Sequence, residues 1–456
     1  MIVSPHRHAT FGDIERLSMA VEATLLGAGQ REPGQLIGLV APNGPGFLAG
    51  FLALRRAGKA VLLLDPLAPR VDRQRAMQTL GVTEVLECPD AWPSGAADFS
   101  VTRTADLVIS RTLPGIAVVK LTSGSTGVAR GIAMPTDALL ADEEALTATM
   151  GLRAGDRIWS AVPLSHSYGF TTLALSSMVR GLALVVPPDQ EPFAALAAAG
   201  KLGATVFPTV PAYIQALLRL PTPPPWPESI RLVLSAGTLL PGAAAARFRQ
   251  TYGFAVHTFY GSSESGGICY DREGGAAERG TVGTPINGVR VSLQAGDQCS
   301  ADEGLVVVES QAVGAMYLPQ LDPRVSPGRF ETSDIGAWDG EELALRRRVD
   351  RVINVRGRKV DPTEVELVLS AHDGVEDVVV FGLPAPDGRD EVIRAVIACP
   401  SIRPESRDVV AWCRHRLAPH KVPRSLVFVD VIPRTARGKI DRSALLRLET
   451  TGDTHD

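Results

Sequence analysis

Two short segments combine hydroxyl, glycine and charged side chains in a pattern that could hold phosphate groups and a metal ion. The first, residues 122–131, contains four hydroxyl residues and three glycines and includes Arg130. It lies between the apolar runs 116–119 and 132–134, which predicts a loop between two strands. Backbone amides, hydroxyls and a guanidinium in such a loop can surround phosphate oxygens. The segment does not match the G-x-x-x-x-G-K-[ST] phosphate loop, and a surface turn rich in serine and glycine is the alternative.

The second segment, residues 259–267, places an aromatic pair before glycines, serines and Glu264. Glycine beside an aromatic ring allows the backbone to approach a planar ligand closely. The carboxylate of Glu264 could bind a hard cation such as Mg²⁺. Taken alone, a glycine-rich turn with a solvated glutamate explains this segment equally well.

These segments resemble two motifs of the adenylate-forming enzymes, the superfamily of acyl- and aryl-CoA synthetases, peptide-synthetase adenylation domains and luciferases. Residues 122–131 are similar to its phosphate loop, and residues 260–264 to its tyrosine-glycine-x-threonine-glutamate motif. Three further stretches agree in order and spacing: residues 332–334 with the ribose-binding aspartate segment, 348–364 with the inter-domain hinge, and 433–440 with the catalytic-lysine loop. The resemblance extends from residue 10 to residue 448.

The resemblance implies two half-reactions. A carboxylate attacks the α-phosphorus of ATP, which gives an acyl-adenylate and pyrophosphate, and a thiol then attacks the acyl carbonyl and expels AMP. Because the first step joins two anions, the site must offset their repulsion and hold the groups in line. ATP, Mg²⁺ and a thiol co-substrate, coenzyme A, are therefore the expected ligands.

The resemblance also assigns roles to single residues. Glu264 would bind Mg²⁺, Lys439 would bridge the attacking carboxylate and the α-phosphate, and Arg130 would steady the phosphates, so we predict these three as catalytic. The remaining predicted nucleotide-binding residues are Thr122, Ser123, Gly124, Ser125, Thr126, Gly127, Ala236, Gly237, Thr238, Phe259, Tyr260, Gly261, Ser262, Ser263, Asp334 and Arg348.

The chain departs from the family pattern at several positions. Arg130 stands where lysine is usual, and Ala129 replaces a proline. Arginine keeps the positive charge of lysine, but its planar guanidinium can donate two parallel hydrogen bonds, so its phosphate contacts could be bidentate. Ser263 replaces a threonine, Ser333 a glycine, and Asn354 a frequent lysine. No essential charge is lost, which predicts an active enzyme.

The acid substrate is expected near residues 163–169, which resemble the carboxylate pocket of acyl- and aryl-CoA ligases. We predict that this pocket is lined by His166, Tyr168, Val210, Tyr213 and Ile268. A packed core histidine is the alternative for His166. No aspartate occurs between Val162 and Thr171 to pair a substrate ammonium, so amino acids are disfavoured. The small residues Ala236, Gly237, Gly261, Gly266 and Gly267 would leave room for an aryl ring or an alkyl chain.

The acyl acceptor is expected to approach a segment just past the hinge. By resemblance, rotation of a C-terminal domain about Asp350 exchanges the Lys439 loop for this segment, where Gly357 would admit the pantetheine arm. Arg356 and Lys359 could contact the phosphates of coenzyme A. A solvated basic turn is the alternative for the basic residues, and a separate carrier protein is the alternative acceptor. A non-catalytic nucleotide- or acyl-binding protein is a third hypothesis.

The elements that must position these residues are alternating strands and helices. A capping-box pattern at residues 10–13 is followed by apolar residues at helical spacing, namely Ile14, Leu17, Val21 and Leu25. The pattern then predicts a strand at residues 36–40, a helix at 47–56 and a strand at 61–64. This order implies parallel crossovers, and we expect it to continue to residue 340. After residue 350, helices at 364–370, 406–417 and near 443 alternate with strands at 375–381, 391–397 and 426–429.

We therefore predict a large α/β N-terminal domain of adenylate-forming type, residues 1–349, joined by a hinge to a small α+β C-terminal domain, residues 350–456. The oligomeric state stays open, with a homodimer as one option.

Composition limits the classes of partner. The chain has 456 residues and a formal net charge of −4, so it carries no electrostatic footprint for nucleic acid or an anionic membrane surface. Neither an apolar run of membrane-spanning length nor a signal-peptide core occurs, which predicts a cytoplasmic protein. The cysteines are scattered, which predicts small buried thiols and no disulfide framework or zinc site. They are Cys88, Cys269, Cys299, Cys399 and Cys413.

Overall fold

The computed structural model describes residues 1–27, 32–103, 111–122, 130–187, 192–296, 299–349, 353–355, 358–384, 391–399, 403–434 and 440–448. The chain divides into two compact units. The larger unit contains Met1–Thr332 and Gly336–Leu345, and the smaller contains Ser333–Ile335 and Arg346–Asp456. The predicted boundary between residues 349 and 350 stays a prediction.

The larger unit begins with alternating strands and helices. Its strands up to residue 262 are β1 (Ile2–Val3), β2 (His8–Ala9), β3 (Leu36–Val40), β4 (Ala60–Leu64), β5 (Glu84–Glu87), β6 (Ser100–Arg103), β7 (Ile116–Thr122), β8 (Arg130–Pro135), β9 (Arg157–Trp159), β10 (Ala183–Val185), β11 (Val206–Thr209), β12 (Leu232–Ser235) and β13 (His257–Ser262). Its helices are α1 (Phe11–Gly27), α2 (Pro45–Arg56), α3 (Arg70–Leu80), α4 (Thr136–Met150), α5 (Ser167–Gly169), α6 (Ser176–Arg180), α7 (Pro192–Lys201), α8 (Pro211–Arg219), α9 (Gly242–Tyr252) and α10 (Ala276–Arg279). A π-helical turn, Phe170–Leu175, joins α5 to α6.

The predicted alternation ends at β13, so its expected continuation to residue 340 is wrong. Strands then dominate: β14 (Gly266–Tyr270), β15 (Thr284–Pro285), β16 (Arg290–Gln294), β17 (Glu303–Glu309), β18 (Met316–Leu318), β19 (Val325–Ser326), β20 (Arg329–Asp339) and β21 (Glu342–Arg348). Antiparallel neighbours need only short turns, so no crossover helix is required between them.

Two sheets carry the site residues of the larger unit. The nine-stranded sheet has the order β15-β14-β13-β12-β11-β9-β10-β1-β2, and the seven-stranded sheet has the order β18-β8-β7-β4-β3-β5-β6. The predicted parallel crossover is confirmed, because β3 and β4 pair in parallel with Leu36 opposite Ala60. Every residue of both strands is buried, as expected for a parallel sheet covered on both faces. A further sheet of five strands contains β16, β17, β19, β20 and β21.

The smaller unit has the α+β composition that its sequence predicts. Its elements are β22 (Ile353–Val355), β23 (Arg358–Val360), α11 (Pro362–Ser370), β24 (Asp377–Pro384), β25 (Glu391–Ala398), α12 (Ser406–Arg414), β26 (Ser425–Val429) and α13 (Arg442–Leu446). β24, β25 and β26 form one sheet, and β22 pairs with β23. The predicted strand at 375–381 begins two residues late, and α12 ends before residue 417.

All five cysteines are free thiols, and every one except Cys299 is buried. Burial raises the pKa of Cys88 and of Cys413 to about 11 in each case. Among the described helices, none combines the length and the apolar character needed to cross a bilayer.

The capping box predicted for the first helix is present. The amide of Thr10 donates to Asp13 Oδ2 at 2.8 Å, and the amide of Asp13 donates to Thr10 Oγ1 at 3.1 Å. These reciprocal bonds satisfy amide groups that a helix start leaves without a partner. Ile14, Val21 and Leu25 are buried in the main core of the larger unit, with Leu17 packed partly against it.

Replacement of the capping hydroxyl tests this helix start. We expect Thr10→Ala to lower the free energy of unfolding by about 1 kcal/mol, because the Asp13 amide loses its side-chain acceptor and keeps only the Thr10 carbonyl, and because Asp13 Oδ2 loses the Thr10 hydroxyl. Thr24→Ala is the matched control, since the Thr24 hydroxyl donates only to the Ala20 carbonyl within the same exposed helical turn. Denaturant unfolding followed by circular dichroism compares the two variants. Equal stability of Thr10→Ala and Thr24→Ala would contradict the capping role.

Candidate active site

Predicted site residues collect at the carboxyl ends of parallel strands in the nine-stranded sheet. Val210 follows β11, residues 236–238 follow β12, and Phe259 to Ser262 close β13. Since β11, β12 and β13 are parallel neighbours, these ends share one edge of the sheet. In open α/β sheets, ligands bind at this edge.

The β7–β8 hairpin confirms the prediction of a loop between two strands. Thr122 ends β7 and lies opposite Arg130, the first residue of β8. The Thr122 hydroxyl donates to the Arg130 carbonyl at 3.4 Å. The loop residues between them, with the predictions for Ser123, Gly124, Ser125, Thr126 and Gly127, lie outside the described residues. The same holds for Asp350, Arg356, Gly357 and Lys439, while Lys359 is described only as a backbone position in β23.

The turn between β13 and β14 fixes the backbone of Glu264. Ser262 Oγ accepts hydrogen bonds from the amides of Glu264 at 3.2 Å and Ser265 at 3.1 Å. The Glu264 carbonyl in turn accepts from the Gly314 amide at 2.7 Å. Ser262 and Ser263 are half-buried, whereas Gly261 is exposed. Ser262 therefore has a structural function that the sequence pattern did not separate from ligand binding.

The carboxylate of Glu264 is held by a tyrosine that the sequence analysis missed. Tyr317, on β18, donates its hydroxyl to Glu264 Oε1 at 2.9 Å. Burial, followed by the charge of Glu264, raises the pKa of Tyr317, so this hydroxyl stays a donor. Among the described residues, no group of three or more His, Cys, Asp or Glu side chains could hold a metal ion by itself. A single carboxylate fits Mg²⁺ that is bound mainly through substrate phosphates.

Arg130 belongs to a charged cluster around the same tyrosine. Its guanidinium carbon lies 4.1 Å from the centroid of the Tyr317 ring, and its Nη2 donates to Asp322 Oδ2 at 2.9 Å. Arg324 also binds Asp322, through Nη2 to Oδ2 at 2.8 Å. Hydrogen bonds from Arg324 are the main cause of a pKa of Asp322 well below its usual range. Two guanidiniums around one carboxylate leave a net positive charge beside Glu264.

A buried lysine and a buried aspartate that attract each other lie near these groups. Lys120 on β7 and Asp142 on α4 are each 1% exposed. Lys120 Nζ donates to Thr171 Oγ1 at 3.4 Å, and Asp142 Oδ1 accepts from the Gly267 amide at 2.9 Å. Burial lowers the pKa of Lys120 and raises that of Asp142, and their mutual attraction opposes both shifts. Lys120 also lies within the electrostatic reach of Glu264.

Two glycines of the predicted pocket are packed against protein. Gly266 has a φ of 68°, and a Cβ there would collide with the Asp142 carboxylate. A Cβ on Gly267 would lie 2.6 Å from Ile286 Cδ1. The expectation that these two glycines leave room for substrate is therefore wrong, because core side chains fill the space. A Cβ on Gly237 would meet only Val210, at 3.9 Å, so the space beside that glycine is open.

Residues predicted for the acid pocket fall into different surroundings. His166 Nε2 lies 3.3 Å from Oδ2 of the buried Asp65, which follows β4. The ring centroid of Tyr168 lies 5.7 Å from that of Phe259. These two contacts place His166 beside the carboxyl end of β4 and Tyr168 beside β13. Asp65 was not predicted, although it directly follows a buried strand.

The remaining predicted wall residues are more enclosed than expected. The centroid of the Tyr213 ring lies 5.7 Å from that of the Phe207 ring, and burial raises the pKa of Tyr213. Ile268 has no exposed surface and belongs to a cluster with Val282 and Val306. Val210 is half-buried at the residue that precedes α8.

The predicted ribose-binding pair is formed within the smaller unit. Arg348 Nη1 donates to Asp334 Oδ1 at 3.0 Å. Asp334 is buried at 8% exposure, with Arg348 in β21 as a partner. Nucleotide binding by both residues stays a prediction.

Family models match the chain in the order that the motifs indicate. The model described as AMP-binding enzyme matches residues 1–318, and the model described as AMP-binding enzyme C-terminal domain matches residues 364–439. The chain belongs to the AMP-binding enzyme family. The predicted membership of the adenylate-forming superfamily is thereby confirmed.

Curated relatives of this AMP-binding enzyme span both aryl and alkyl acids in their names. Feruloyl-CoA synthases of Amycolatopsis sp and Streptomyces sp are each 27% identical over 481 residues, 98% of this chain and 96% of theirs. A long-chain-fatty-acid–CoA ligase of Bacillus subtilis is 29% identical over 348 residues, 74% of this chain and 62% of the ligase.

Solved structures confirm the predicted fold of a large α/β domain with a small C-terminal domain. An o-succinylbenzoate CoA synthetase of Bacillus subtilis, in complex with its acyl-adenylate intermediate, gives a TM-score of 0.82 at 21% identity, over 99% of this chain and 96% of that one. An ATP-bound MatB of Rhodopseudomonas palustris gives a TM-score of 0.81 at 22% identity, over 97% of this chain and 94% of that one.

The buried pair of this AMP-binding enzyme gives a stability prediction. We expect Lys120→Met to lower the free energy of unfolding by about 3–5 kcal/mol, because Asp142 is left buried without its counter-charge. The double variant Lys120→Met/Asp142→Asn removes both charges and should recover much of that loss. Denaturant unfolding measures all variants.

Lys201→Met is the control for loss of a lysine charge, because Lys201 is exposed at the end of α7. Its stability should equal that of the wild type. A double variant as unstable as Lys120→Met would contradict an electrostatic origin and indicate loss of packing instead.

Proposed function

We propose that the protein is an AMP-forming acid–CoA ligase. It activates a carboxylic acid with ATP as an acyl-adenylate, releases pyrophosphate, and transfers the acyl group to the thiol of coenzyme A. The arrangement of Glu264 and Arg130 around Tyr317 carries this proposal within the family context. Both residues contact Tyr317 beside the hairpin whose sequence resembles the family's phosphate loop, which supports a metal-binding role for the Glu264 carboxylate and a phosphate-binding role for Arg130.

The charges around this arrangement suit a reaction between two anions. The acid carboxylate and the triphosphate repel each other, so the rate depends on cations held in fixed positions. Arg130 supplies one such charge, and its guanidinium is oriented by Asp322 and by the Tyr317 ring. Glu264 would hold Mg²⁺ on the phosphates, which neutralises charge further. Lys439 completes this set in our proposal, by bridging the two reacting groups.

The acid substrate in our proposal is an aryl or alkyl carboxylic acid. No acidic residue lies between Val162 and Thr171, and the nearby carboxylate of Asp65 is already in contact with His166, so an ammonium beside the substrate carboxylate would be buried without a partner. The rings of Tyr168 and Phe259 pack together near the carboxyl end of β13, and the space beside Gly237, which follows β12, is open. The names of the relatives, ferulate in one case and long-chain fatty acid in another, are of these same two classes.

Coenzyme A is the proposed acceptor, and a separate carrier protein is the alternative. We further propose that rotation about Asp350 brings residues 356–359 to the acyl-adenylate, and that residues 1–349 and 350–456 form the two moving domains. The feruloyl-CoA synthases that match 98% of this chain are named for a coenzyme A product, which supports coenzyme A as the acceptor. We place the reaction in the cytoplasm, where the five free thiols would stay reduced.

Pyrophosphate release tests the proposal. The purified protein would be assayed with ATP and Mg²⁺ against short, medium and long alkyl acids, aryl acids and amino acids, each with and without coenzyme A. We expect release with one alkyl or aryl class, rapid turnover only when coenzyme A is present, and no release with amino acids. Lys439→Ala should lower the rate at least about a hundredfold, since it removes charge stabilisation at the reacting phosphate.

Lys201→Ala is the matched control for Lys439→Ala, because it removes an exposed lysine of the larger unit. Slow release unchanged by coenzyme A would redirect the proposal to a carrier protein. Absence of release with every acid would favour a non-catalytic binding protein, whereas full activity of Lys439→Ala would contradict the role proposed for Lys439.

A further inference from the structure

Tyr317 lies where two strands fix its position relative to Arg130. It is the central residue of β18, which pairs with β8 in antiparallel register, with Tyr317 opposite Ile132 and Leu318 opposite Gly131. Arg130 begins the same strand β8. Tyr317 is 4% exposed, so its ring has little freedom to move. The backbone register therefore determines where the ring lies under the Arg130 side chain.

The face of the ring holds the guanidinium of Arg130. The distance of 4.1 Å between Arg130 Cζ and the ring centroid is within the range of a cation–π contact. Asp322 fixes the same side chain through the hydrogen bond to Nη2. An arginine with an aromatic face on one side and a carboxylate at one edge keeps its remaining N–H groups in a defined direction.

The hydroxyl of the same ring holds Glu264. It donates to Oε1 at 2.9 Å, and the Glu264 main chain is fixed independently by Ser262 and Gly314. Among the described residues, no hydrogen bond engages Oε2. One carboxylate oxygen is thus occupied while the other remains for a cation.

We propose that Tyr317 is a positioning residue for adenylation, which sets the distance between Arg130 and Glu264 and makes the Glu264 carboxylate present one oxygen to Mg²⁺ in a single orientation. This inference rests on the proposed function. Tyr317 itself contacts neither reacting atom. It acts because one rigid side chain touches both the phosphate-binding cation and the metal-binding carboxylate.

Two substitutions separate the two contacts. Tyr317→Phe keeps the ring beneath Arg130 and removes the hydroxyl, so the Glu264 carboxylate can rotate. We expect the Mg²⁺ concentration that gives half-maximal ATP binding to rise about tenfold, because a hydrogen bond to a charged group is lost. Affinity for ATP without Mg²⁺ should stay within about twofold of the wild type, since the cation–π contact is kept. Tyr317→Leu removes both contacts and should weaken ATP binding with and without Mg²⁺.

Tyr252→Phe is the matched control. Tyr252 is a tyrosine of the same unit whose buried hydroxyl has no hydrogen-bond partner among the described residues. Its ring packs against Trp226 and Phe248, in a cluster separate from Tyr317. We expect its Mg²⁺ dependence and ATP affinity to equal those of the wild type.

Isothermal titration of ATP at graded Mg²⁺ concentrations measures binding without turnover, and the melting temperature is recorded for each variant. The KM for ATP and kcat of pyrophosphate release are then measured at the same Mg²⁺ concentrations. In Tyr317→Phe, raising Mg²⁺ should restore most of the lost rate.

Several outcomes would overturn the inference. Tyr317→Phe with the Mg²⁺ dependence of the wild type would do so. A lower melting temperature with equal loss of ATP binding at all Mg²⁺ concentrations would show a structural role only. Wild-type protein that binds no ATP would contradict both this inference and the ligase proposal. If the Mg²⁺ dependence of ATP binding changes as expected in Tyr317→Phe but no acid gives pyrophosphate release, only the ligase proposal is refuted.

Discussion

The ammonium of Lys120 and the carboxylate of Asp142 are both removed from water, so each depends on the other to remain tolerable in the core. The two residues lie on different elements, β7 and α4, and Asp142 also binds the amide of Gly267 in β14. Attraction between Lys120 and Asp142, together with the Asp142–Gly267 hydrogen bond, therefore connects β7, which leads into the proposed phosphate-binding hairpin, with the hairpin that carries Glu264. Gly266 must be glycine beside this pair, because a side chain there would enter the space of the Asp142 carboxylate.

From Lys120 and Asp142 toward the proposed phosphate site, charged side chains of alternating sign follow one another. Glu264 lies within reach of the Lys120 charge, and the Tyr317 hydroxyl occupies one of its oxygens. The guanidinium of Arg130 lies on the face of the Tyr317 ring. The carboxylate of Asp322 accepts hydrogen bonds from both Arg130 and Arg324. Each charged group has a neighbour of opposite sign or a hydrogen-bond donor. Such an arrangement keeps cations in place before the substrate arrives, and this preorganisation reduces the energetic cost of assembling the transition state.

Local sequence signals predicted the elements well. The capping box at Thr10 and Asp13, the parallel strands β3 and β4, and the hairpin ending at Arg130 depend on neighbouring residues or on regular apolar spacing. The motifs likewise indicated Glu264 and the Asp334–Arg348 pair. Tyr317 and Asp322 could not be found in this way. Asp322 is 192 residues from Arg130 in the chain, and only the tertiary fold brings the two together.

Cys299 differs from the other cysteines because it alone is only partly buried, in the segment between β16 and β17. A thiol-directed fluorophore would therefore react at this position of the larger unit and spare the four enclosed thiols, whose burial opposes formation of the thiolate. A second cysteine introduced at an exposed position of the smaller unit would complete a donor–acceptor pair. Cys299 thus already provides one of the two labelling positions that a single-molecule energy-transfer measurement of the proposed rotation between the units requires.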